Sequence, residues 1–150
     1  MATIRVQRED FDVGQELAAL GDGGQVGALA SFVGLVRGND ADGAIAGMEL
    51  EHYPGMTEKS LQAIVAAAVG RWRILDALVI HRFGPLRPGE RIVLVAVSSA
   101  HRGDAFAACE YIMDRLKTDA PFWKKETTAE GQRWVDARAS DEAAAARWLD

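Results

Sequence analysis

Residues 92–126, IVLVAVSSAHRGDAFAACEYIMDRLKTDAPFWKKE, decide the fold of this chain. The unbroken apolar run at 92–97 predicts a central strand that is buried on both faces. A long helix is predicted to begin near Ala100, with Ser98 or Ser99 as its cap. Its predicted buried stripe consists of Phe106, Cys109, Met113 and Leu116.

Further strands and helices are predicted on either side of this stretch. Strands are expected at residues 3–8, 26–37, 44–53 and 77–83, and helices at 11–20, from Thr57 onward and from Ser140 onward. Residues 26–37 predict a buried strand, whose small residues indicate close approach by another backbone, and 44–53 is predicted to pair with it. Residues 38–43 are predicted as a mobile loop and 84–90 as a turn, because Gly, Pro, Asn and Asp dominate them. The residues around 128–131 predict a hairpin.

The composition describes a chain of 150 residues, 49% of them hydrophobic, with a formal net charge of −5. One domain over residues 1–150 is expected, and sequence-independent nucleic-acid binding is disfavoured. A single cysteine, Cys109, excludes an internal disulfide and a cysteine metal cluster, and its place on the helix stripe indicates an inert packing residue. No apolar run approaches the roughly 20 residues that span a bilayer, and the N-terminus lacks a signal core, so we expect a cytoplasmic protein.

Two cations, His101 and Arg102, fall in the first turn of the predicted long helix. Backbone N–H groups there are unpaired, and the positive end of the helix dipole lies there, so cations slightly destabilise the helix itself. A bound anion, such as a phosphate, would give these side chains a reason to be there. A solvated surface pair is the alternative, and residue types alone do not decide between the two.

Three lysines follow toward the end of the stretch. Lys117 falls near the end of the helix, where a cation suits the dipole with or without another function. Lys124 and Lys125 follow on a predicted strand, whose alternation sends them to opposite faces, so at most one enters a given pocket. Lysines that keep an edge strand soluble are the alternative.

The predicted helix separates these two groups of cations. At about 1.5 Å per residue, His101 and Lys117 lie on the order of 24 Å apart along a straight helix. Either the helix breaks, or two copies of the chain build the site together. We therefore predict a homodimer whose pocket takes His101 and Arg102 from one copy and Lys117 and Lys124 from the other.

Other candidate residues have competing interpretations. Arg37 ends a predicted strand, where ligand contacts are common, and a solvated strand end is an equal alternative. His52 and His81 lie on predicted strands and are interpreted as structural, because no paired metal-ligand spacing accompanies them. A metal site with Glu49 and Glu51 is the lesser alternative, so neither a metal nor a cofactor is predicted.

Five blocks carry a resemblance to a known family. They are LEHYPGMTEKSL (50–61), VIHRFGPLRPGE (79–90), SSAHRGDAF (98–106), YIMDRLKTDAPFWKKE (111–126) and RWVDAR (133–138). In this order they resemble the large, catalytic subunit of molybdopterin synthase, from about Phe11 to Trp148. We therefore expect one α+β domain with a mixed or antiparallel sheet flanked by helices, α/β-hammerhead-like, with an added hairpin subregion.

The resemblance implies a sulfurtransferase. In this family, sulfur from the C-terminal Gly-Gly thiocarboxylate of a small ubiquitin-like partner is transferred to cyclic pyranopterin monophosphate, which gains the dithiolene of molybdopterin. The partner's tail enters a pocket on the large subunit. The assembly is a heterotetramer, a dimer of large subunits with one small subunit at each end. Because the sulfur arrives activated, the large subunit needs no nucleophilic cysteine.

The resemblance also implies residue roles. Lys117 is expected next to the partner's C-terminus and, with Lys124, is the implied catalytic group, since an ammonium stabilises negative charge that develops at the acyl carbon. The implied substrate-binding residues are Leu35, Val36, Arg37, His101, Arg102, Lys117, Lys124, Lys125, Glu126 and Arg138. The loop after Arg37 is more acidic than is usual in the family, so none of its residues is assigned.

Two other functions stay open at this stage. A non-catalytic module that captures a ubiquitin-like tail would use the small residues of 26–34 and the apolar pair at 122–123. Such a module has no need of cations that converge on an anion. An enzyme that acts on a phosphorylated metabolite without a protein partner would be active as the isolated chain.

Overall fold

The computed structural model describes residues 2–40, 43–135 and 139–149. The helices within these ranges are α1 (Val13–Leu20), α2 (Met56–Arg71), α3 (Arg102–Asp119) and α4 (Ala139–Ala146). The strands are β1 (Ala2–Gln7), β2 (Ala28–Leu35), β3 (Asn39–Asp40), β4 (Gly43–His52), β5 (Asp76–Arg82), β6 (Gly84–Leu86), β7 (Arg91–Ser99), β8 (Phe122–Thr128) and β9 (Gly131–Val135). The expected α+β class is confirmed. None of the described helices is long and apolar enough to cross a bilayer.

The first sheet has the strand order β1-β5-β7-β2, with β1 and β5 parallel and the other pairs antiparallel. Alternation along β5 and β7 decides what each face contacts. Val79 and Val95 belong to the core beneath α2 and α3, whereas Ile80 and Leu94 belong to the core beneath α1. The prediction of a central strand buried on both faces is therefore confirmed for β7.

The second sheet is built around β4. Its strand order is β3-β4-β8-β9, and β6 also pairs with β4. A small separate core of Val36, Met48, Leu50 and Leu86 lies against it. The predicted hairpin is confirmed, because β8 and β9 pair from Thr128 and Gly131 outward.

Helix α3 runs without a break between its ends, and its predicted start needs correction. Ser98 and Ser99 are the last residues of β7, and their hydroxyls donate to the carbonyls of Asp76 and Arg73. His101 is the N-cap instead, and its side chain makes no capping hydrogen bond. Helix α3 therefore begins two residues later than predicted, because the two serines complete strand β7.

The predicted stripe of α3 is confirmed at three of its four positions. Cys109, Met113 and Leu116 are buried, whereas Phe106 is 65% exposed. Ala105 and Ala108 occupy the buried face at that level of the helix. The prediction for Phe106 was wrong because small residues allow the helix to lie close to the sheet there.

The predictions for the middle of the chain were partly wrong. Strand β2 is not buried on both faces: it lies at the edge of its sheet, pairs with β7, and exposes Leu29, Phe32 and Leu35. Strand β4 pairs with β8, β6 and β3 rather than with β2. The predicted turn at 84–90 contains β6, and the predicted loop at 38–43 contains β3, while residues 41 and 42 lie outside the described ranges.

The caps of the other helices agree only in part with the predictions. Gly55, not Thr57, is the N-cap of α2, and its N–H donates to Glu58. The Thr57 hydroxyl is buried and donates to the Tyr53 carbonyl. Helix α1 ends at Leu20 as predicted, with Gly21 as its C-cap. The side chain of Ser140, the predicted cap of α4, lies outside what the structure describes.

Candidate functional site

A pocket of about 320 Å³ lies where both sheets meet the C-terminal end of α3. Its wall combines residues from β2, β4, β5, β7, β8 and β9 with the last turn of α3 and the first turn of α4. Aliphatic side chains such as Met48, Leu50 and Leu116 form part of this wall. A pocket with an apolar wall and a few converging polar groups is the usual form of a small-molecule site.

Three cations from distant parts of the sequence line this pocket. Arg37 follows β2, Lys117 lies in the last turn of α3, and Lys124 lies on β8. Much of the Lys117 surface is accessible, but its surroundings lower its pKa, first by desolvation and then by repulsion from Lys124 and Arg37. The negative charge of Asp141 opposes this shift. The pocket is therefore cationic and suited to an anion.

A buried carboxylate lies close to one of these cations. Glu126 is only 4% exposed and lies opposite Arg133 in the β8–β9 register. Its Oε1 accepts a hydrogen bond of 3.3 Å from Arg133 Nη2, and its Oε2 lies 4.0 Å from Lys124 Nζ. Glu126 lines the pocket but is occupied by these cations, so it orients Lys124 rather than repelling an anionic ligand.

Lys125 lies on the opposite face of the second sheet. Its Nζ lies 4.6 Å from the centre of the Trp134 ring, a cation–π contact outside the pocket. The two lysines therefore diverge as strand alternation predicts. A substrate contact by Lys125 stays a prediction, and the position of its side chain gives it no support.

The residues before Arg37 hold it at the pocket. Leu35 lines the pocket while much of its side chain is exposed. Val36 is buried in the small core, its N–H donates to the Glu90 carbonyl, and its own carbonyl accepts from Gly89. Val36 thus anchors the backbone rather than offering its side chain to a ligand.

His101 and Arg102 lie at the other end of α3 and do not line this pocket. Both side chains are exposed. Because α3 is unbroken, about 24 Å separates them from Lys117 along the helix, as expected from the rise per residue. One chain therefore does not bring the two cation groups together. Arg138, the remaining predicted contact, lies outside the described residues.

His81 is a pocket residue that the sequence interpretation missed. It is 5% exposed, its Nδ1 lies 2.8 Å from the Arg82 carbonyl oxygen, and its ring stacks on Phe122 with centroids 3.7 Å apart. Burial lowers the pKa of His81 to about 3. Like Arg37, His81 lies near the end of a predicted strand. That position was the signal in the sequence that could have identified it as a pocket residue.

The remaining candidates have structural environments. His52 Nδ1 lies 3.1 Å from the Thr57 hydroxyl, and Cys109 is buried with its Sγ 3.8 Å from the Val95 carbonyl. Burial raises the pKa of Cys109 to about 11, so its thiolate is scarce at neutral pH. Among the described residues, no group of three or more His, Cys, Asp or Glu side chains is arranged to hold a metal ion.

Comparisons with known proteins show the family of this chain. The model of the MoaE protein family matches residues 6–119. A molybdopterin synthase catalytic subunit of Ralstonia nicotianae is 65% identical over 149 residues, which cover 99% of this chain and 85% of that protein. A MoaE protein structure from Burkholderia ambifaria superposes with a TM-score of 0.84 at 58% identity and covers 100% of both chains. A molybdopterin synthase structure from Staphylococcus aureus has a TM-score of 0.81 at 33% identity and covers 87% of this chain and 95% of its own.

Proposed function

Because this chain belongs to the MoaE family of molybdopterin synthase catalytic subunits, we propose that it is the sulfurtransferase that builds the dithiolene of molybdopterin. Sulfur comes from the C-terminal thiocarboxylate of a small ubiquitin-like partner and is transferred to cyclic pyranopterin monophosphate. The observation that carries this proposal is the convergence of Arg37, Lys117 and Lys124 on one pocket. Both ligands of this reaction are anionic, and these side chains complement them.

Lys117 is the side chain best placed to act on the acyl group. Once the thiocarboxylate sulfur has displaced an oxygen from the pterin, water adds to the partner's acyl carbon and forms a tetrahedral species with negative charge on oxygen, which a nearby ammonium stabilises. The acyl C–S bond then breaks, so that sulfur stays on the pterin and the partner leaves with a C-terminal carboxylate. Desolvation and the neighbouring cations disfavour the charged form of Lys117. An anion that develops during the reaction relieves this repulsion, so the interaction is stronger in the transition state than before it.

Lys124 and Arg37 are assigned to the pterin. Lys124 lies 4.0 Å from the buried Glu126 and enters the pocket from β8, while Arg37 enters from just after β2. Side chains that reach the pocket from two separate parts of the fold are suited to orient a ligand between them. A binding module for a ubiquitin-like tail alone has no use for this arrangement, which favours the enzyme over the module.

The second cation group, His101 and Arg102 at the start of α3, supports a homodimer. Strand β2 is an edge strand in the described chain; its first residue pairs with Ser99, next to the start of α3, and its last residue lies at the pocket. Eight residues of strand span about 23 Å, close to the separation of His101 and Lys117 along α3. If two copies pair along β2 about a two-fold axis, the strands run antiparallel. His101 and Arg102 of one copy then approach the pocket of the other.

This geometry supports a role for His101 and Arg102 of the second copy in binding the phosphate of the pterin. The exposed apolar side chains of β2, Leu29 and Phe32, give the two copies a surface to bury. With one small partner at each pocket, the assembly is a heterotetramer. The cytoplasmic location expected from the sequence stays a prediction.

The experiment that tests the proposal is reconstitution. The purified chain is mixed with a thiocarboxylated small partner and cyclic pyranopterin monophosphate, and dithiolene formation is measured. We expect product only when all three components are present. Product without the partner would favour an enzyme that acts on the metabolite alone, and partner binding without product would favour the tail-binding module.

A further inference from the structure

His81 is a buried polar side chain at the pocket to which no role in the reaction has yet been given. It lies near the end of β5, on the side of the first sheet that faces α3, where the first sheet meets β8 of the second. The near-parallel stack on Phe122, at an angle of 18°, fixes the plane of its ring. A polar group held this rigidly at a pocket is suited to fix the orientation of a ligand.

The hydrogen bond at Nδ1 determines what the other ring nitrogen can do. The Arg82 carbonyl oxygen, 2.8 Å away, can only accept, so Nδ1 carries the proton. In a neutral imidazole, Nε2 then presents a lone pair and accepts a hydrogen bond.

The surroundings keep the ring neutral. Burial is the main cause of its lowered pKa, and the positive charge of Lys117 adds to the effect. Nε2 therefore stays an acceptor across the neutral range instead of taking up a proton.

An uncharged acceptor is unusual in this pocket. Its cations only donate hydrogen bonds, and its carboxylates, Glu126 and Asp141, carry negative charge and interact with lysines. Nε2 of His81 can accept from a neutral N–H group without repelling the anionic end of the same ligand.

Building on the proposed function, we propose that Nε2 of His81 accepts a hydrogen bond from an N–H group of the bound ligand and thereby orients it against Lys117. Two sources supply this chemistry: the peptide amides of the partner's Gly-Gly tail and the ring N–H groups of the pterin. His81 is thus a ligand-orienting residue, and its action does not require a change in its own protonation.

The substitution His81→Phe tests this proposal, because it keeps an aromatic ring on Phe122 and removes the acceptor. Binding of the small partner with an ordinary C-terminal carboxylate and binding of cyclic pyranopterin monophosphate are measured separately by calorimetry. We expect affinity for one of them to fall about 3- to 10-fold, as for loss of one neutral hydrogen bond. A loss confined to the partner identifies the tail as the donor, and a loss confined to the pterin identifies the ring.

The matched control is His52→Phe. His52 is also near Phe122, with ring centroids 6.1 Å apart, but it does not line the pocket. We expect both affinities to stay at the wild-type level in this variant. Unchanged affinities for both ligands in a folded His81→Phe variant would overturn the proposal, as would equal losses in the two histidine variants.

A spectroscopic measurement on the wild-type protein keeps the proposal testable if His81→Phe does not fold. Imidazole nitrogen-15 spectra are expected to show the proton on Nδ1, and saturation with the relevant ligand should move the Nε2 resonance. A proton found on Nε2, or an Nε2 resonance that neither ligand moves, would reject the role. A wild-type chain that fails in the reconstitution assay would instead reject the proposed function, so the two failures are distinguishable.

Discussion

Lys117 shows how stability and activity compete at a single residue. In the folded chain its ammonium is desolvated and faces Lys124 and Arg37, all of which lowers its pKa. A lysine with a lowered pKa in the folded state binds fewer protons there than in the unfolded chain. Its positive charge therefore disfavours folding below the lowered pKa, and stability rises as the pH increases through that value toward 10.5. Such a cost is typical of a group retained for function.

We predict that Lys117→Met abolishes dithiolene formation, with a rate loss of at least about 10²-fold, because the ammonium beside the acyl carbon is gone. The melting temperature at neutral pH should be equal to or above that of the wild type, because methionine keeps the apolar stem and removes the repelled charge. Lys59→Met, on the exposed side of α2, is the matched control. Wild-type turnover in the Lys117 variant would contradict its role.

His81 makes a prediction about the pH dependence of stability. Its pKa is about 3 when folded, so between 6.5 and 3 the unfolded chain takes up a proton that the folded chain does not. Stability should therefore fall as the pH decreases through 6.5, with a slope from this group that approaches about 1.4 kcal/mol per pH unit near pH 5. In His81→Phe this contribution is absent, which urea unfolding at several pH values between about 5 and 7 measures.

The control for this prediction is a core change that binds no proton. Ile112 is fully buried, and Ile112→Val should cost about 0.5–1.5 kcal/mol at every pH and leave the slope unchanged. Equal slopes in the wild type and the His81 variant would show that the ring is not kept neutral by the fold.

Residue types and spacing predicted the local geometry of the lysines, and the resemblance implied their place at a site. The divergence of Lys124 and Lys125 followed from strand alternation alone, and helical spacing placed Lys117 near the end of α3. His81 was missed because a histidine on an apolar strand looks the same whether its ring faces core or pocket. That distinction depends on Phe122, more than forty positions later, which stacks on the ring.

At the scale of elements, the junction of β2 with the start of α3 positions the second cation group. The N–H of Gly27 donates to the Ser99 carbonyl, and a Cβ at Gly27 would lie 2.1 Å from the Ala100 carbonyl oxygen. The small residues of this stretch predicted such a close approach, and that prediction is confirmed. Only a residue without a side chain lets β2 begin beside the turn that leads to His101.

We predict that Gly27→Ala destabilises the fold by about 1–3 kcal/mol, because the added methyl group forces the two backbones apart. Gly70→Ala is the matched control, since a Cβ there meets nothing within 4 Å in helix α2 and the change should stabilise by about 0.4–1 kcal/mol. Urea unfolding of both variants measures the difference. A Gly27 variant as stable as the wild type would contradict the close contact.

Strand existence was more predictable than strand pairing. The unbroken apolar run located β7 and the turn at 128–131 located β8, because such local signals mark a strand wherever it lies. The partners of β4 were not predictable in this way. It pairs with β8, far along the chain, and with β6, a three-residue strand inside a segment whose prolines and glycines indicated only a turn.

At the scale of the whole molecule, the residues of the proposed site lie at the two ends of α3. One end carries His101 and Arg102, which are exposed, and the other carries Lys117 at the pocket. The rise of an α-helix was enough to predict this separation from the sequence. The sequence did not predict how two copies would bring these two ends together. The edge position of β2 among the described strands is known only from the sheet order.

The composite site predicts that two inactive variants restore each other. Lys117→Met removes a group from the first half of the site and Arg102→Ala from the second, which comes from the other copy. In a mixed dimer, one pocket then carries both changes and the other carries neither. Random pairing of equal amounts makes half of the dimers mixed, so about a quarter of all pockets are intact.

Co-expression of the two variants under different tags should therefore recover about a quarter of wild-type dithiolene formation per pocket, well above either variant alone. Co-expression of Lys117→Met with Lys124→Ala is the matched control. Both of those groups line the same pocket of one chain, so every pocket of a mixed dimer keeps one defect and activity should stay low. Recovery in the control pair, or none in the test pair, would contradict a site shared between two copies, because complementation depends only on which chain supplies each cation.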